Sequence, residues 1–350
     1  MSRGIVFEHT KGEVNRAGTR LGEGNESADD LAVIENWRAA HNYVLNTFQA
    51  SLRRRTRSLS LRSPVQRIKR LNTIKGKLQR FPKMKLARMH DIVRCRVVFD
   101  DIASLQNFRE AFNKSRFEHK RRRKVLDDGT FADAYNYIES PKKSGYRGIH
   151  DVFEYKAKQS GAGKSAGGNR WNGLLVEIQY RTRVQHAWAT AVEICDIYTE
   201  NHGKFSDAPE EYLEYFILAS EILARAHEGM KSCGPELSDS ELINRFDTLE
   251  REHGMLRTLR GIRPSDADFR SQKHTLLIYK DDQEEVAVIT FSNFRDAVSE
   301  YFRLERETAD DIVLVAADDS ESVRFGFKNY FSDAREFVSL IDSGRNKLRR

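Results

Sequence analysis

Near the N-terminus, apolar residues recur at the spacing of one helix face. The stripe consists of Leu31, Ile34, Trp37, Tyr43 and Phe48. It predicts an amphipathic helix within 27–55, with Asp29 or Asp30 as N-cap. Residues 1–27 are polar and carry several glycines, so we expect them to be loosely ordered. Pro64 precedes a strongly basic segment that predicts a second helix over about 65–80.

Beyond residue 90 the pattern changes to short runs rich in β-branched residues. These runs predict strands at 91–101, 117–126, 149–157 and 173–181, and later at 274–280, 285–291 and 312–317. Predicted helices lie at 102–115, over 182–258, at 293–306 and in pieces to about 343. Strands and helices in this order indicate an α+β protein with a mixed sheet flanked by helices.

Charge divides the chain into unlike parts. Residues 51–150 hold 27 Lys and Arg against 9 Asp and Glu, whereas 271–342 hold 8 against 16. The basic excess predicts a polyanionic partner, either nucleotide phosphates or nucleic acid. We divide the chain into an N-terminal helical and basic region (1–63), a central domain (64–200), a helical connector (201–271) and an acidic C-terminal domain (272–350).

Several classes of protein are disfavoured by composition. No apolar run approaches the roughly 18 residues of a membrane span, and the first residues lack a secretory apolar core. Cys95, Cys195 and Cys233 lie far apart and form no CxxC motif. We therefore expect a cytoplasmic protein without a membrane partner.

Polar residues alternate along the predicted strand "VEIQYR" at 176–181. Alternation places Glu177, Gln179 and Arg181 on one face, although an ordinary ion pair on a half-exposed strand explains them equally well. Asp91 opens a second strand. If the two strands are neighbours, Asp91 and Glu177 could hold Mg²⁺ against phosphates.

The basic segment 65–80 places four candidate phosphate-binding residues at helical spacings: Arg67, Lys69, Thr73 and Lys77. A solvated helix that covers the sheet is the alternative. The motif "GAGKS" at 161–165 is not a phosphate loop, because Lys158 stands where that motif needs a glycine. The pair His90 and Asp91 suggests a metal-dependent hydrolase, but no further ligands accompany it.

The segment "SPKKSGYRGIH" at 140–150 sets Tyr146 on a glycine-rich turn among cations. A turn alone requires only the proline and glycines. The segment by itself leaves open what this aromatic ring contacts.

Four ordered blocks resemble the synthetase domain of the RelA/SpoT family of nucleotide pyrophosphokinases. The blocks are "RIKRLNTIKGKL" (67–78), "DIVRCRVV" (91–98), "NYIESPKKSGYRGIH" (136–150) and "VEIQYRTRVQHAWA" (176–189). The resemblance implies a nucleotidyltransferase-like mixed sheet and Mg²⁺-dependent transfer of the β,γ-diphosphate of ATP to a ribose 3′-hydroxyl.

The resemblance also implies residue roles. ATP would be bound by Arg67, Lys69, Thr73, Lys77 and Arg96. The catalytic and metal-binding pair would be Asp91, which binds Mg²⁺, and Glu177, which orients or deprotonates the acceptor hydroxyl. The acceptor would be bound by Tyr146, Lys142, His150, Gln179 and Arg181. The chain departs from the family pattern at Arg94, Asn136, Gly148 and Thr190.

The family contains guanosine alarmone synthetases, which use GDP or GTP, and toxins that pyrophosphorylate the 3′-CCA end of tRNA. The phrases "NRWNG" and "NYFSDAREFVSLI" resemble fused toxin–antitoxin proteins of the CapRel kind, which carry a C-terminal pseudo-zinc-finger region. That resemblance implies autoinhibition by the C-terminal domain and a phage protein as trigger. The opposite charge of the two halves supports autoinhibition, and an inert solubilising appendage is the alternative. The basic runs 51–57 and 119–124 favour tRNA as the acceptor; a catalytically inactive RNA- or partner-binding module remains a third hypothesis.

Overall fold

The structure is a computed structural model that describes residues 5, 7–59, 61, 64–126, 131–158, 168–198, 210–262, 274–280, 285–308, 310–316, 320–329, 331 and 333–350. The helices are α1 (Lys11–Glu23), α2 (Ala28–Ser58), α3 (Leu71–Arg80), α4 (Ile102–Asn113), α5 (Arg183–Tyr198), α6 (Glu210–Glu228), α7 (Asp239–His253), α8 (Met255–Gly261), α9 (Phe294–Glu307), α10 (Ser320–Gly326) and α11 (Arg335–Leu348). The strands are β1 (Val65–Ile68), β2 (Val93–Phe99), β3 (Lys120–Arg121), β4 (Lys124–Val125), β5 (Phe131–Ala132), β6 (Ile149–Glu154), β7 (Leu175–Thr182), β8 (His274–Lys280), β9 (Glu285–Phe291) and β10 (Asp311–Ala316). None of the described helices is both long and apolar enough to cross a membrane.

Eight of the described strands form one sheet in the order β3-β6-β7-β2-β1-β10-β8-β9. Strands β2 and β7 run parallel, and each of the other neighbouring pairs is antiparallel. Helix α2 packs on the face that carries the apolar side chains of β2 and β7, and these residues share one core. The predicted α+β class with a mixed sheet flanked by helices is confirmed.

The N-terminal segment is more ordered than its composition predicts. Residues Lys11–Glu23 form α1, which begins with a capping box between Thr10 and Glu13. The N-cap of α2 is Ser27, and Asp30 completes its capping box three residues later. The expectation of a loosely ordered 1–27 is therefore wrong for α1, which buries Val14 and Leu21 against the core.

The predicted helix over 65–80 is wrong for its first six residues. Val65–Ile68 pair with β2 as a strand, and the helix begins only at Leu71. Val65 and Ile68 are both buried but belong to different apolar clusters, as residues on alternate faces of a strand do. Arg67 consequently lies on a strand and Lys77 on the helix that follows.

The acidic C-terminal part contributes strands to the central sheet. Strand β10 pairs antiparallel with β1, with Gln66 opposite Ala316 and Arg67 opposite Val315. Strands β8 and β9 continue the same sheet beyond β10. The four-part division of the chain stays a prediction. Strands from both sides of the predicted boundary at 271/272 belong to the same sheet. The "GAGKS" motif lies outside the described residues.

A buried ion pair ties the C-terminal part to the N-terminal helix. Arg38 of α2 has no exposed side-chain surface and lies 2.7 Å from a carboxylate oxygen of Glu305 on α9. The same guanidinium donates to the Tyr301 hydroxyl at 3.0 Å and to the Lys69 carbonyl at 3.1 Å. Loss of one partner would leave the other charge buried and unpaired.

We predict that Arg38→Met lowers the free energy of unfolding by about 3 kcal/mol, because it leaves Glu305 without its buried partner. Urea denaturation of the full chain measures this change. Arg303→Met is the control, since Arg303 forms exposed pairs with Glu300 and Glu307. Exposed pairs contribute less than about 1 kcal/mol. Equal effects of the two substitutions would contradict the prediction.

Candidate active site

One face of the sheet carries a concentration of polar side chains. Val176, Ile178 and Tyr180 of β7 belong to the core beneath α2, so Glu177, Gln179 and Arg181 point to the other face. The sequence prediction of this alternation is confirmed. Across the sheet, Glu177 lies beside Arg94 of β2, and Gln179 lies between Arg96 of β2 and His150 of β6.

Asp91 lies just before β2 and is held by two lysines. The ammonium groups of Lys69 and Lys77 each lie 2.8 Å from one of its carboxylate oxygens. Burial raises the pKa of Asp91, but Lys69 and Lys77 outweigh burial and the nearby Glu177 charge and lower it to about 2. The structure thus brings these predicted ATP-binding lysines together at the predicted metal ligand.

Glu177 is a buried carboxylate with several polar neighbours. Gln179 donates to it at 2.7 Å, and a ring nitrogen of His150 lies 3.5 Å away. His90 approaches the same carboxylate to 3.7 Å. Burial raises the pKa of Glu177, but the positive charge of His150 outweighs burial and holds it well below its usual range.

Asp91 and Glu177 belong to one electrostatic cluster. The negative charge of Glu177 acts on Asp91, and both carboxylates act on His90. Burial nevertheless lowers the pKa of His90 below its usual value. The sequence indicated His90 only as part of a possible hydrolase motif with Asp91. Its position beside Glu177 results from long-range strand pairing, which a local motif does not predict.

The turn that carries Tyr146 is packed beside this cluster. The Tyr146 hydroxyl lies 2.5 Å from His150 and accepts from Arg181 at 3.1 Å. Lys142 and Arg181 lie 5.0 and 5.1 Å from the ring centroid. The ring is half-buried; besides these polar neighbours it packs against the apolar cluster that contains Trp188, whose ring centroid lies 6.3 Å away. The predicted acceptor-binding residues therefore form one group with Gln179, which lies beside His150.

Charges around the turn shift two pKa values in opposite directions. Burial raises the pKa of Tyr146, but Arg181 and His150 outweigh burial and lower it to about 8. Burial lowers the pKa of His150, but Tyr146 and Glu177 outweigh burial and raise it to about 9. The arrangement favours a positively charged His150 at neutral pH.

Helix α6 holds the Tyr146 turn in place, a contact that the sequence did not reveal. Ser220 donates to the Gly145 carbonyl at 2.7 Å, and Arg147 lies 2.5 Å from Glu228 in a buried ion pair. Gly145 has φ +86°, and a Cβ there would lie 3.0 Å from the Phe216 carbonyl. We identify Ser220 and Glu228 as positioning residues for the turn.

Arg96 is placed differently from the other predicted ATP-binding residues. Its guanidinium is buried and donates to the Gly326 carbonyl of α10 at 2.7 Å. Burial and the nearby Arg181 lower its pKa below the usual range of arginine. Arg67 lies half-buried on β1 opposite Arg94, and Thr73 lies half-buried on α3 one turn before Lys77.

The carboxylate pair fits a magnesium site completed by substrate. Within the described ranges, no three His, Cys, Asp or Glu side chains are grouped as metal ligands. Mg²⁺ in nucleotide sites is commonly bound by one or two carboxylates together with phosphate oxygens. Asp91 and Glu177 match that donor set, and Lys69 and Lys77 stand beside it where phosphates need neutralisation.

Comparison with known proteins finds a family model that resembles part of this chain. A family model described as a region found in RelA and SpoT proteins matches residues 66–202. No curated protein sequence matches the chain significantly. The matched segment, less than half of the chain, is similar to the region that RelA and SpoT proteins share, and the expectation of an ATP-dependent pyrophosphokinase is confirmed.

Solved structures include similar chains of low sequence identity. Small alarmone synthetase 2 from Bacillus subtilis is 22% identical over 53% of this chain and 90% of its own, with a TM-score of 0.41. Small alarmone synthetase 1 from the same organism, bound to its product pppGpp, is 25% identical over 54% of this chain and 90% of its own, with a TM-score of 0.40. A GTP pyrophosphokinase family protein from Streptococcus pneumoniae is 18% identical over 64% and 92%, with a TM-score of 0.34.

We predict that the stability contributed by His150 depends on pH. Its pKa is raised on folding, so this stability is complete below about pH 6.5 and is lost as pH rises through about 9. Urea unfolding of wild type and His150→Gln should differ by about 2 kcal/mol more at pH 6 than at pH 9.5. His253→Gln, at an exposed position outside the site, is the matched control. A difference that stays constant or grows with pH would contradict the assignment.

Proposed function

We propose that this pyrophosphokinase transfers the β,γ-diphosphate of ATP to the ribose 3′-hydroxyl of the tRNA 3′-CCA end. The proposal rests on two systems of charged side chains that lie close together on one face of the sheet. Asp91 lies with Lys69 and Lys77, and Glu177 lies with His150 beside Tyr146. The first system suits a polyphosphate donor and the second a nucleotide acceptor.

In the proposed reaction the acceptor 3′-oxygen attacks the β-phosphorus of ATP. A bond forms between these two atoms, the bond from the β-phosphorus to the bridging oxygen of the α-phosphate breaks, AMP leaves, and the hydroxyl proton is released. The lowered pKa of Glu177 makes its carboxylate a weak base, so its main role is to accept the hydroxyl hydrogen bond and orient the oxygen.

The remaining roles follow from position. Tyr146 stacks on the acceptor base, which fixes the direction of the 3′-oxygen and contributes roughly 1–3 kcal/mol. His150, Lys142 and Arg181 supply positive charge around that nucleotide. Mg²⁺, when bound at Asp91 and Glu177, would neutralise phosphate charge.

The preference for tRNA over GDP or GTP rests on cations beyond those a mononucleotide needs. The runs 51–57 and 119–124 are separate in sequence, but Arg55 donates to Ser115 at 2.5 Å and so joins the end of α2 to the segment that leads into the second run. Exposed cations include Arg54 in the first run and Arg122 and Arg123 in the second, with Arg116 in the segment between. Such cations suit the phosphates of a nucleic acid.

We further propose that the acidic C-terminal part restrains the synthetase. Glu305 accepts from the backbone amide of Leu71, which opens α3, and Asp311 pairs with Arg70. Gly326 accepts from Arg96, a predicted ATP-binding residue. These contacts support a fused toxin–antitoxin protein of the CapRel kind, a translation-blocking toxin that serves anti-phage defence, with a phage protein that binds the C-terminal part as its trigger.

An assay with the full chain tests the acceptor. The full chain is required because truncation at 271 would remove β10, the sheet neighbour of β1. With γ-labelled ATP and Mg²⁺, we expect label on deacylated tRNA. Label on GDP or GTP alone would indicate an alarmone synthetase. Label on neither, from wild type and from Asp311→Asn (in which the proposed restraint through Arg70 is removed) alike, would indicate an inactive binding module. Glu177→Gln should lower transfer by about 10³-fold, whereas Glu110→Gln, exposed on α4, should not.

Asp311→Asn tests the restraint. Because this substitution removes the pair with Arg70, we expect kcat/KM for ATP to rise several-fold. Asp342→Asn, which removes the exposed pair with Arg260, is the control and should leave the rate unchanged. Equal or lower activity in Asp311→Asn would count against autoinhibition through this contact.

A further inference from the structure

The edge of the sheet beside the Tyr146 turn is interrupted by a protruding arm. The backbone amide of Arg122 donates to the Val152 carbonyl at 2.8 Å, continuing the pairing of β3 with β6. The chain rejoins the same edge at Tyr135, whose carbonyl accepts from the His150 amide at 3.0 Å. Between these points the chain leaves the edge as the ribbon of β4 and β5. We call residues 122–126 and 131–134 the basic arm; it leaves the sheet next to His150.

The outer surface of the basic arm is strongly positive. Arg122, Arg123 and Lys124 follow one another and are all exposed. Arg121, by contrast, turns inward to Asp151 and Asp133 at 3.3 and 3.2 Å. Because side chains alternate along a strand, Arg122 lies on the same side of the sheet as His150 rather than on the side of Asp151. Its contact with Glu154 at 3.6 Å is between two exposed groups and leaves it available to a ligand.

Within the described part of the basic arm, the one carboxylate is engaged by arginines that are not on the exposed surface. Asp133 on the returning side of the arm is bound by Arg109 at 2.7 Å and by Arg121. This carboxylate, the one Asp or Glu within 122–126 and 131–134, is thus bound by structural arginines. The exposed cations of the arm therefore present their charge to solvent.

Aromatic rings connect the basic arm to the Tyr146 turn. The Tyr137 ring lies 5.7 Å from the Tyr146 ring, and the Tyr135 ring lies 6.3 Å from that of Tyr137. All three side chains are half-buried. Lys142 lies 4.5 Å from the Tyr137 ring centroid. The sheet edge thus presents Tyr146, Tyr137 and Tyr135 in succession and then the cations of the arm.

We propose that this edge binds the single-stranded 3′ end of an RNA acceptor. The terminal base lies on Tyr146, the preceding bases contact Tyr137 and Tyr135, and Arg122, Arg123 and Lys124 bind the phosphates that follow. Stacking rings combined with a positive track are the usual means of binding single-stranded nucleic acid. A mononucleotide acceptor reaches only Tyr146 and has no use for the arm. The inference rests on the proposed function, and it adds where the nucleotides that precede the terminal base of the RNA acceptor bind.

Binding to the full chain tests the surface apart from catalysis. The probe is a fluorescent oligoribonucleotide that ends in CCA, and its affinity is measured by anisotropy over a salt series. Arg122→Ala/Lys124→Ala should weaken binding on the order of tenfold and reduce the slope of log K against log salt by about 1.4, because each phosphate contact contributes about 0.7. Tyr137→Leu should weaken binding to a similar extent without changing the slope, since stacking involves no counterion release.

Controls separate a local effect from unfolding and from charge alone. Arg251→Ala/Arg257→Ala removes two exposed cations from α7 and α8 and should leave RNA affinity unchanged. The arm variant should keep the wild-type unfolding midpoint, because both of its substituted side chains are exposed. The inference would be overturned if Arg122→Ala/Lys124→Ala, the arm variant, kept the wild-type RNA affinity and salt slope. It would also be overturned if the wild-type chain bound anionic vesicles more tightly than RNA.

Failure of the inference and failure of the proposed function are distinguishable. If wild type binds RNA through the arm but places label only on GDP or GTP, the tRNA acceptor is wrong and the RNA surface stands. If wild type labels tRNA and the arm variant does so with the same KM, the acceptor stands and the inference is wrong.

Discussion

The site depends on a buried carboxylate in the middle of a sheet. Glu177 is 3% exposed, and such a charge is tolerated only with close partners. Gln179 and His150 meet this requirement, and His150 in turn contacts the Tyr146 hydroxyl, which also accepts from Arg181. The pairing that makes burial of Glu177 possible therefore also fixes the ring on which an acceptor base would stack.

The same network is connected to the C-terminal part through helices. Ser220 of α6 holds the Gly145 carbonyl, and α11 packs along α6, where His227 contacts the Leu340 carbonyl at 2.8 Å. On the other side of the site, Glu305 binds the first amide of α3. The proposed ATP side and the proposed acceptor side of the site are therefore each connected to residues beyond 272. The proposed restraint could act through either connection.

Local patterns predicted what depends on neighbouring residues and missed what depends on long-range pairing. The alternation in "VEIQYR" correctly placed Glu177 and Arg181 on one face, because side-chain direction in a strand has a period of two. The helix predicted from residue 65 was wrong. The prediction followed the helical spacing of the cations, whereas Val65–Ile68 pair with β2 as a strand. Pairing of β1 with β10 joins residues some 250 positions apart, and no local pattern specifies it. The holding of Gly145 by Ser220 was missed for the same reason.

The most direct test of the central claim is a crystal structure of the full chain with Mg²⁺ and a non-hydrolysable ATP analogue. We predict that Lys69 and Lys77 exchange the Asp91 carboxylate for phosphate oxygens, while Asp91 binds the metal and Glu177 stays beside His150 facing the β-phosphorus. A triphosphate bound elsewhere, with both lysines still on Asp91, would contradict the account.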